Sequence, residues 1–303
     1  MVSRSAAVSA AVAVAVAREH GVRVLEPVVL NDSFNLRVLL RPAPVVARVP
    51  TTTALGRPDP ADALEREVAV VSYLHGAGVP VVPPSGLLPA GPHRRDGVAM
   101  SFWAHVPHDA GRVITPEEAG RMLAELHEAL RGFPGELPRL GPVLDEPARL
   151  LGLLARQGSW LVGDGELARL REAHAGCAER LGGPVVETDG LGGPVQAVHG
   201  DAHPGNLLAT PGGLLWNDFE ECMTAPVAWD LACLLRTTRL DGRAAVRAYG
   251  ADPGEPELRA FLAARGLQGT LWVLARALRF PDQADAARTV LRTWLDDPSG
   301  ATR

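Results

Sequence analysis

The chain has 303 residues, 47% of them hydrophobic and 21% charged, and a formal net charge of −5. That length buries a sizeable core in one or two domains, and the balance excludes a disordered chain and argues against nucleic acid as a partner. All thirty basic residues are arginine, with no lysine anywhere in the chain.

From the N-terminus, Arg4 precedes an Ala/Val run from Ala6 to Ala17 that passes into Arg18-Glu19-His20-Gly21. The run is too short and too weakly apolar to span a bilayer, and its polar end and glycine stop predict a packed helix rather than a secretion signal. The three cysteines, Cys177, Cys222 and Cys233, form no C-x-x-C pair and read as free thiols of a cytoplasmic protein. No membrane partner is expected.

Residues 22–50 alternate as strands: 22–30, a turn at Asn31-Asp32-Ser33, then 34–40, then 45–49. Residues 51–60 read as a mobile Thr/Pro/Gly loop, and a helix follows over about 62–75. Residues 89–96 read as a loop and 98–103 as a strand. Thereafter the pattern is mainly helical. Thr115-Pro116-Glu117-Glu118 starts a helix running to about Arg131, and further helices are expected near 145–156, 165–182, 226–238, 242–249, 255–265, 269–279 and 284–296.

The chemistry concentrates in His199-Gly200-Asp201-Ala202-His203-Pro204-Gly205-Asn206, followed by Asn217-Asp218-Phe219-Glu220. Residues 207–210 and 214–217 are apolar runs joined by Pro211-Gly212-Gly213, which predicts a β-hairpin with Asn206 and Asp218 at its open ends. Asp201 suits a group that orients or deprotonates a hydroxyl, and Asn206 with Asp218 suits Mg²⁺ carried on a nucleotide triphosphate. The competing metal-hydrolase reading of His199, Asp201 and His203 lacks the ligands that other loops would have to supply.

These residues resemble the aminoglycoside phosphotransferase-like family: His199-Gly200-Asp201 with Asn206, Asp218-Phe219, Asp230-Leu231-Ala232 and, upstream, Arg66-Glu67-Val68, Gly78-Val79-Pro80 and Leu126-His127. The resemblance spans about residues 20 to 280. It implies an α+β, protein-kinase-like two-lobed fold. Residues 1–103 would form a small antiparallel β-sheet lobe with one main helix, and residues 104–303 a larger, mainly helical catalytic lobe. The implied activity is transfer of the γ-phosphoryl of ATP or GTP, with Mg²⁺, to a hydroxyl of a small acceptor such as an antibiotic, amino sugar or amino alcohol.

The resemblance also implies roles. Asp201 is the catalytic group, with His199 and Asp230 as structural supports, and His203 open between phosphate, substrate and turn. Glu67 pairs with a basic residue on the third strand, where the family has lysine and this chain has Arg48. Arginine keeps a permanent charge and grips phosphate or carboxylate through two nitrogens. The phosphate-covering loop, Asn31 to Asn35, has no glycine, leaving Ser33 as a direct donor. Ser101 to Ala104, with Trp103, would form the interlobe hinge. His105, Trp216 and Trp229 are further candidate walls. Glu220 and Glu221 would line the acceptor pocket and favour a cationic acceptor. A nucleotide-binding protein without turnover is the rival reading, and nothing in the sequence speaks to oligomeric state.

Overall fold

The computed structural model describes residues 4–182, 194–252, 254, 256 and 258–298. The chain divides into two compact units, Met1–Arg112 with Leu208–Glu220, and Val113–Leu207 with Glu221–Arg303.

The first unit is built on a five-stranded antiparallel sheet. Its strands are β1 (Val24–Asp32), β2 (Asn35–Pro42), β3 (Val45–Pro50), β4 (His93–Arg95) and β5 (Val98–Ala104), in the order β1-β2-β3-β5-β4. Period-two alternation decides its faces. Leu36, Val38 and Leu40 on β2 and Val45, Ala47 and Val49 on β3 are buried in one core. The Ala/Val run forms α1 (Arg4–Glu19), whose Ala13, Val14, Val16 and Ala17 join that core. A second helix, α2 (Pro60–Gly76), starts at Asp59, whose side chain accepts from the Ala61 amide, with Pro60 in the first turn.

Three expectations for this unit change. Register shifts in β1 carry pairing on to Asn31 and Asp32, opposite Arg37 and Leu36, so the connection is Ser33-Phe34 alone. Residues 93–95, read as loop, pair with β5. The segment read as a mobile loop contains a 3₁₀ turn at Thr53–Gly56 and is tied down. The Phe34 carbonyl accepts from the amides of Thr52 and Thr53 at 2.9 and 3.1 Å, and Thr52 Oγ1 donates to the Ser33 carbonyl at 2.6 Å.

The hairpin of β7 (Leu207–Thr210) and β8 (Gly213–Trp216) forms as read. Its Trp216 exchanges backbone bonds of 2.9 Å with Pro80 and Val82.

Among its described residues the second unit is helical apart from the paired strands β6 (Val195–Val198) and β9 (Met223–Pro226). Its helices are α3 (Pro116–Leu130), α4 (Gly141–Gln157), α5 (Asp164–Leu181), α6 (Ala228–Leu235), α7 (Gly242–Tyr249), α8 (Leu258–Arg279) and α9 (Ala284–Asp296). Thr115 and Glu118 close a capping box on α3.

Helix α8 replaces the two shorter helices read at 255–265 and 269–279; residues 255 and 257 lie outside those described. It runs through Gly266 and Gly269 because its buried Leu267, Leu271, Leu274 and Ala275 repeat at helical spacing, and that packing outweighs the weak helix propensity of glycine.

Candidate functional site

In the first unit, α2 presents an apolar stripe of Leu64, Val70, Val71 and Leu74 with Glu67 set inside it. A carboxylate buried to 2% exposure needs a partner, and Arg48 on β3 supplies one: its Nη1 donates to Glu67 Oε1. Arg48 Nη2 donates to Asp218 Oδ1 and lies 3.0 Å from Glu220 Oε1. The Phe219 amide donates to Glu67 Oε1 at 3.1 Å, so the helix glutamate also anchors the chain just after Asp218.

Arg37 Nη2 donates to Asp218 Oδ2 at 2.6 Å. Glu220 accepts from Asn35 Nδ2 at 2.9 Å and from Arg57 Nη1 at 2.6 Å. Three carboxylates (Glu67, Asp218, Glu220) therefore meet three guanidiniums (Arg37, Arg48, Arg57).

Charge balance does not equalise the members. Burial pushes the Glu67 carboxyl up to about 7 despite the adjoining Arg48, with Asp218 and Glu220 adding to the rise. The same three carboxylates hold the Arg48 guanidinium charged although burial opposes it. Asp218 adopts φ 72°, a left-handed conformation that short polar side chains tolerate best.

Beside this cluster is a cavity of about 390 Å³, lined by Leu30, Arg37, Val46, Arg48, Trp103 and Asn217 among others. The face of the sheet opposite the core supplies it: Arg37 faces Arg48 across β2–β3, Val46 faces Trp103 and Arg48 faces Ser101 across β3–β5. Trp103 Nε1 donates to Ser101 Oγ at 2.9 Å, fixing the indole as a wall. His105 lines the same cavity, whereas Trp216 and Trp229, at 1% and 0% exposure, are core.

The second unit holds the His199–Asn206 loop around the fully buried Asp230 at the start of α6. Its carboxylate accepts from the amides of His199 at 2.8 Å and Gly200 at 2.9 Å and contacts His127 Nε2 at 3.0 Å. Trp229 Nε1 donates to the Gly200 carbonyl at 2.7 Å. Gly200 has φ 88°, and a Cβ there would lie 2.1 Å from the Glu221 carbonyl oxygen, so only glycine fits. His199 Nδ1 accepts from the Asp201 amide at 3.2 Å, and His203 Nδ1 accepts from the Gly205 amide at 2.9 Å; both rings brace the loop.

The Asp201 carboxylate meets Arg265 Nη2 of α8 and, on its other oxygen, Asn206 Nδ2 at 3.2 Å and His203 Nε2 at 3.4 Å. Although burial opposes it, Arg265 and His203 hold the carboxyl well below the usual range. Arg265 also lies 3.7 Å from Glu221, which accepts from Gln268 at 3.0 Å.

Of the residues singled out from sequence, the first unit thus contains Ser33, Arg48, Glu67, Ser101, Trp103, Asp218 and Glu220, and the second His199, Asp201, His203, Asn206, Glu221 and Asp230. Glu220 and Glu221 have separate partners. They belong to different units, and each already faces an arginine.

Three arginines escaped the sequence reading, among them Arg57, which lies in the segment read as a loop. Arg37 was detectable as the polar residue between buried Leu36 and Val38, directly opposite Arg48. Arg265 had no local signal, because only the packing of α8 brings it to Asp201.

Of the two residues read from sequence as metal ligands, Asn206 lies in the second unit and Asp218 in the first. Asn206 spends its amide nitrogen on the Asp201 carbonyl at 2.9 Å, which turns its carbonyl oxygen away as a donor. Asp218 accepts from Arg37 on one carboxylate oxygen and from Arg48 on the other. Among the described residues there is no group of three or more His, Cys, Asp or Glu placed to hold a metal ion.

The phosphotransferase enzyme family matches residues 15–267. No curated protein matches the sequence closely enough to count as a relative. Among solved structures, an amicoumacin kinase in complex with AMP-PNP, Ca²⁺ and Ami is 12% identical over 95% of each chain, with a TM-score of 0.65. A microcompartment-associated aminopropanol kinase is 19% identical over 95% of this chain and 98% of its own, at 0.61. The GDP and kanamycin complex of an aminoglycoside phosphotransferase is 18% identical over 93% and 95%, at 0.60. At these identities the likeness is one of fold, the kinase-like α+β arrangement. Among the described residues, no helix is long and apolar enough to cross a membrane. The family match spans most of the chain, and the chain therefore belongs to the phosphotransferase enzyme family, enzymes that move a phosphoryl group to an alcohol.

Proposed function

We propose that this protein is a small-molecule kinase that transfers the γ-phosphoryl of ATP or GTP to a hydroxyl of a small acceptor. The observation that carries this reading is the buried Arg48–Glu67 pair, joined to Asp218, beside the 390 Å³ cavity of the first unit. Permanent cations and one apolar wall suit a nucleotide. Arg48 grips phosphate, with Glu67 fixing its fork. Trp103, whose indole Ser101 holds from beneath, borders the base, and residues 1–103 act as the nucleotide lobe.

Phosphoryl transfer has a loose transition state, so positioning carries most of the catalysis. Asp201, held ionised by Arg265, accepts the hydroxyl's hydrogen bond and aims its oxygen. His199 and Asp230 keep the loop rigid. Asn206 and Asp218 would each offer an oxygen to Mg²⁺, which when bound would neutralise charge on the phosphates. The solved neighbours, one in complex with AMP-PNP and Ca²⁺, one with GDP and kanamycin, and one an aminopropanol kinase, support a nucleotide, a divalent ion and a small acceptor. A preference for cationic acceptors loses its argument from Glu220, which is buried and paired, and rests on Glu221 alone, which Arg265 offsets. Turnover in the cytoplasm is the matching location.

Nucleotide consumption measured with a panel of amino sugars, amino alcohols and uncharged polyols tests this. Turnover with at least one acceptor is expected, falling about 10³-fold in Asp201→Asn with nucleotide affinity unchanged. Nucleotide binding without turnover on any acceptor would favour the rival, a binding protein that has lost catalysis.

A further inference from the structure

The cavity of the first unit holds two guanidiniums where one was expected. The β2–β3 register sets Arg37 directly opposite Arg48, and both turn away from the core filled by Leu36, Val38, Ala47 and Val49. Like charges at opposed positions repel. Asp218 relieves this by taking one nitrogen from each arginine, on separate oxygens.

The two arginines differ in freedom: the Arg48 side chain is 4% exposed and held by three carboxylates, whereas that of Arg37 is 30% exposed. The neighbouring Ser33-Phe34 connection has no glycine, and its carbonyls are tied to Thr52 and Thr53. A loop so fixed cannot fold down over an anion.

We propose that Arg37 is a phosphate-binding residue, forming with Arg48 a two-guanidinium receptor for the phosphate chain of a nucleotide, with Asp218 as the internal anion that holds the pair in its absence. The proposal rests on the kinase reading of the cavity. A phosphate chain carries more charge than one carboxylate and matches the planar fork of each guanidinium, so it outcompetes Asp218 for the less buried Arg37. As Arg37 leaves, Asp218 Oδ2 becomes available to a cation that accompanies the phosphates. Metal and nucleotide then bind with positive coupling.

Calorimetric titration of the full chain in EDTA, with inorganic tripolyphosphate, ATP, GTP and adenosine, tests this on wild type, Arg37→Gln, Arg37→Lys and Asp218→Asn, each checked for folding by circular dichroism. Arg37→Gln is expected to weaken tripolyphosphate and the preferred triphosphate about tenfold while leaving adenosine unchanged, with Arg37→Lys intermediate. Asp218→Asn, which releases the pair, is expected to tighten metal-free tripolyphosphate. No tripolyphosphate binding by wild type, equal binding by the Arg37 variants, or weaker binding by Asp218→Asn each overturns the receptor. Nucleotide binding that ignores Arg37 sinks the receptor and spares the kinase reading. Arg37-dependent tripolyphosphate binding with no gain from a nucleoside does the reverse.

Discussion

The carboxylates that matter in the two units are held in opposite ways. In the first unit Asp218 is surrounded by charged side chains, Arg37 and Arg48, themselves balanced by Glu67 and Glu220. In the second unit Asp230 is held by two backbone amides and the His127 ring, and the loop it anchors fixes Asp201. Ion pairs between side chains can trade partners when a stronger anion arrives. Amides locked by backbone geometry cannot. The first arrangement suits a site that rearranges around its ligand, the second a site whose geometry has to be ready beforehand.

Removing the anchor should produce the largest effect. Asp230→Ala strands two buried amides and a histidine nitrogen, and a loss of about 4 kcal/mol in unfolding free energy is expected by urea titration. A loss below about 1 kcal/mol would show that the loop holds itself without its anchor. Next comes Arg48→Gln, which leaves Glu67 buried without a cation: about 3 kcal/mol is expected, with Arg48→Lys recovering part but not the contacts to both Glu67 and Asp218. A full rescue by lysine would mean that charge alone, not the fork, holds the cluster.

A third variant separates the units by pH. The folded Asp201 carboxyl is held below its unfolded value of about 3.9, so its stabilisation is complete above that value and lost as pH falls through the folded one. Arg265→Gln, expected to cost about 2 kcal/mol at pH 7, should therefore converge on wild type as pH falls from about 5 towards 2. A gap constant with pH would assign the loss to packing. The smallest effect concerns the thiols. Cys177, Cys222 and Cys233 are buried, and burial raises the Cys177 and Cys233 thiols, so none should react with iodoacetamide until the chain unfolds. Rapid labelling of Cys233 would reveal local opening beside Gly200.

Sequence alone reached the parts of this molecule whose cause is local. The α3 start at Thr115, the β7–β8 hairpin and the alternation of β2 and β3 follow from residue types within a few positions. The spacing of Asp201, Asn206, Asp218 and Asp230 is equally local. What escaped depends on distant packing. Residues 51–57 read as a loose loop because nothing nearby reveals that Arg57 meets Glu220 or that Thr53 Oγ1 donates to Asn35. Arg265 is one of many helix arginines until α8 is docked, and the two glycines in that helix hid its continuity. Glu220 and Glu221 look alike as neighbours, yet each carboxylate finds its own arginine, Arg57 for one and Arg265 for the other.

The first unit's cavity carries positive charge without carrying an amine. A guanidinium stays protonated and is a poor nucleophile at neutral pH, so it neither acylates readily nor forms an imine. Nucleotide analogues armed with an electrophile for a site lysine will therefore find nothing to attack here, and surveys that detect kinases by lysine acylation will pass this protein by. Dicarbonyl reagents, which condense with guanidinium, should mark it instead, and the half-buried Arg37 before the enclosed Arg48.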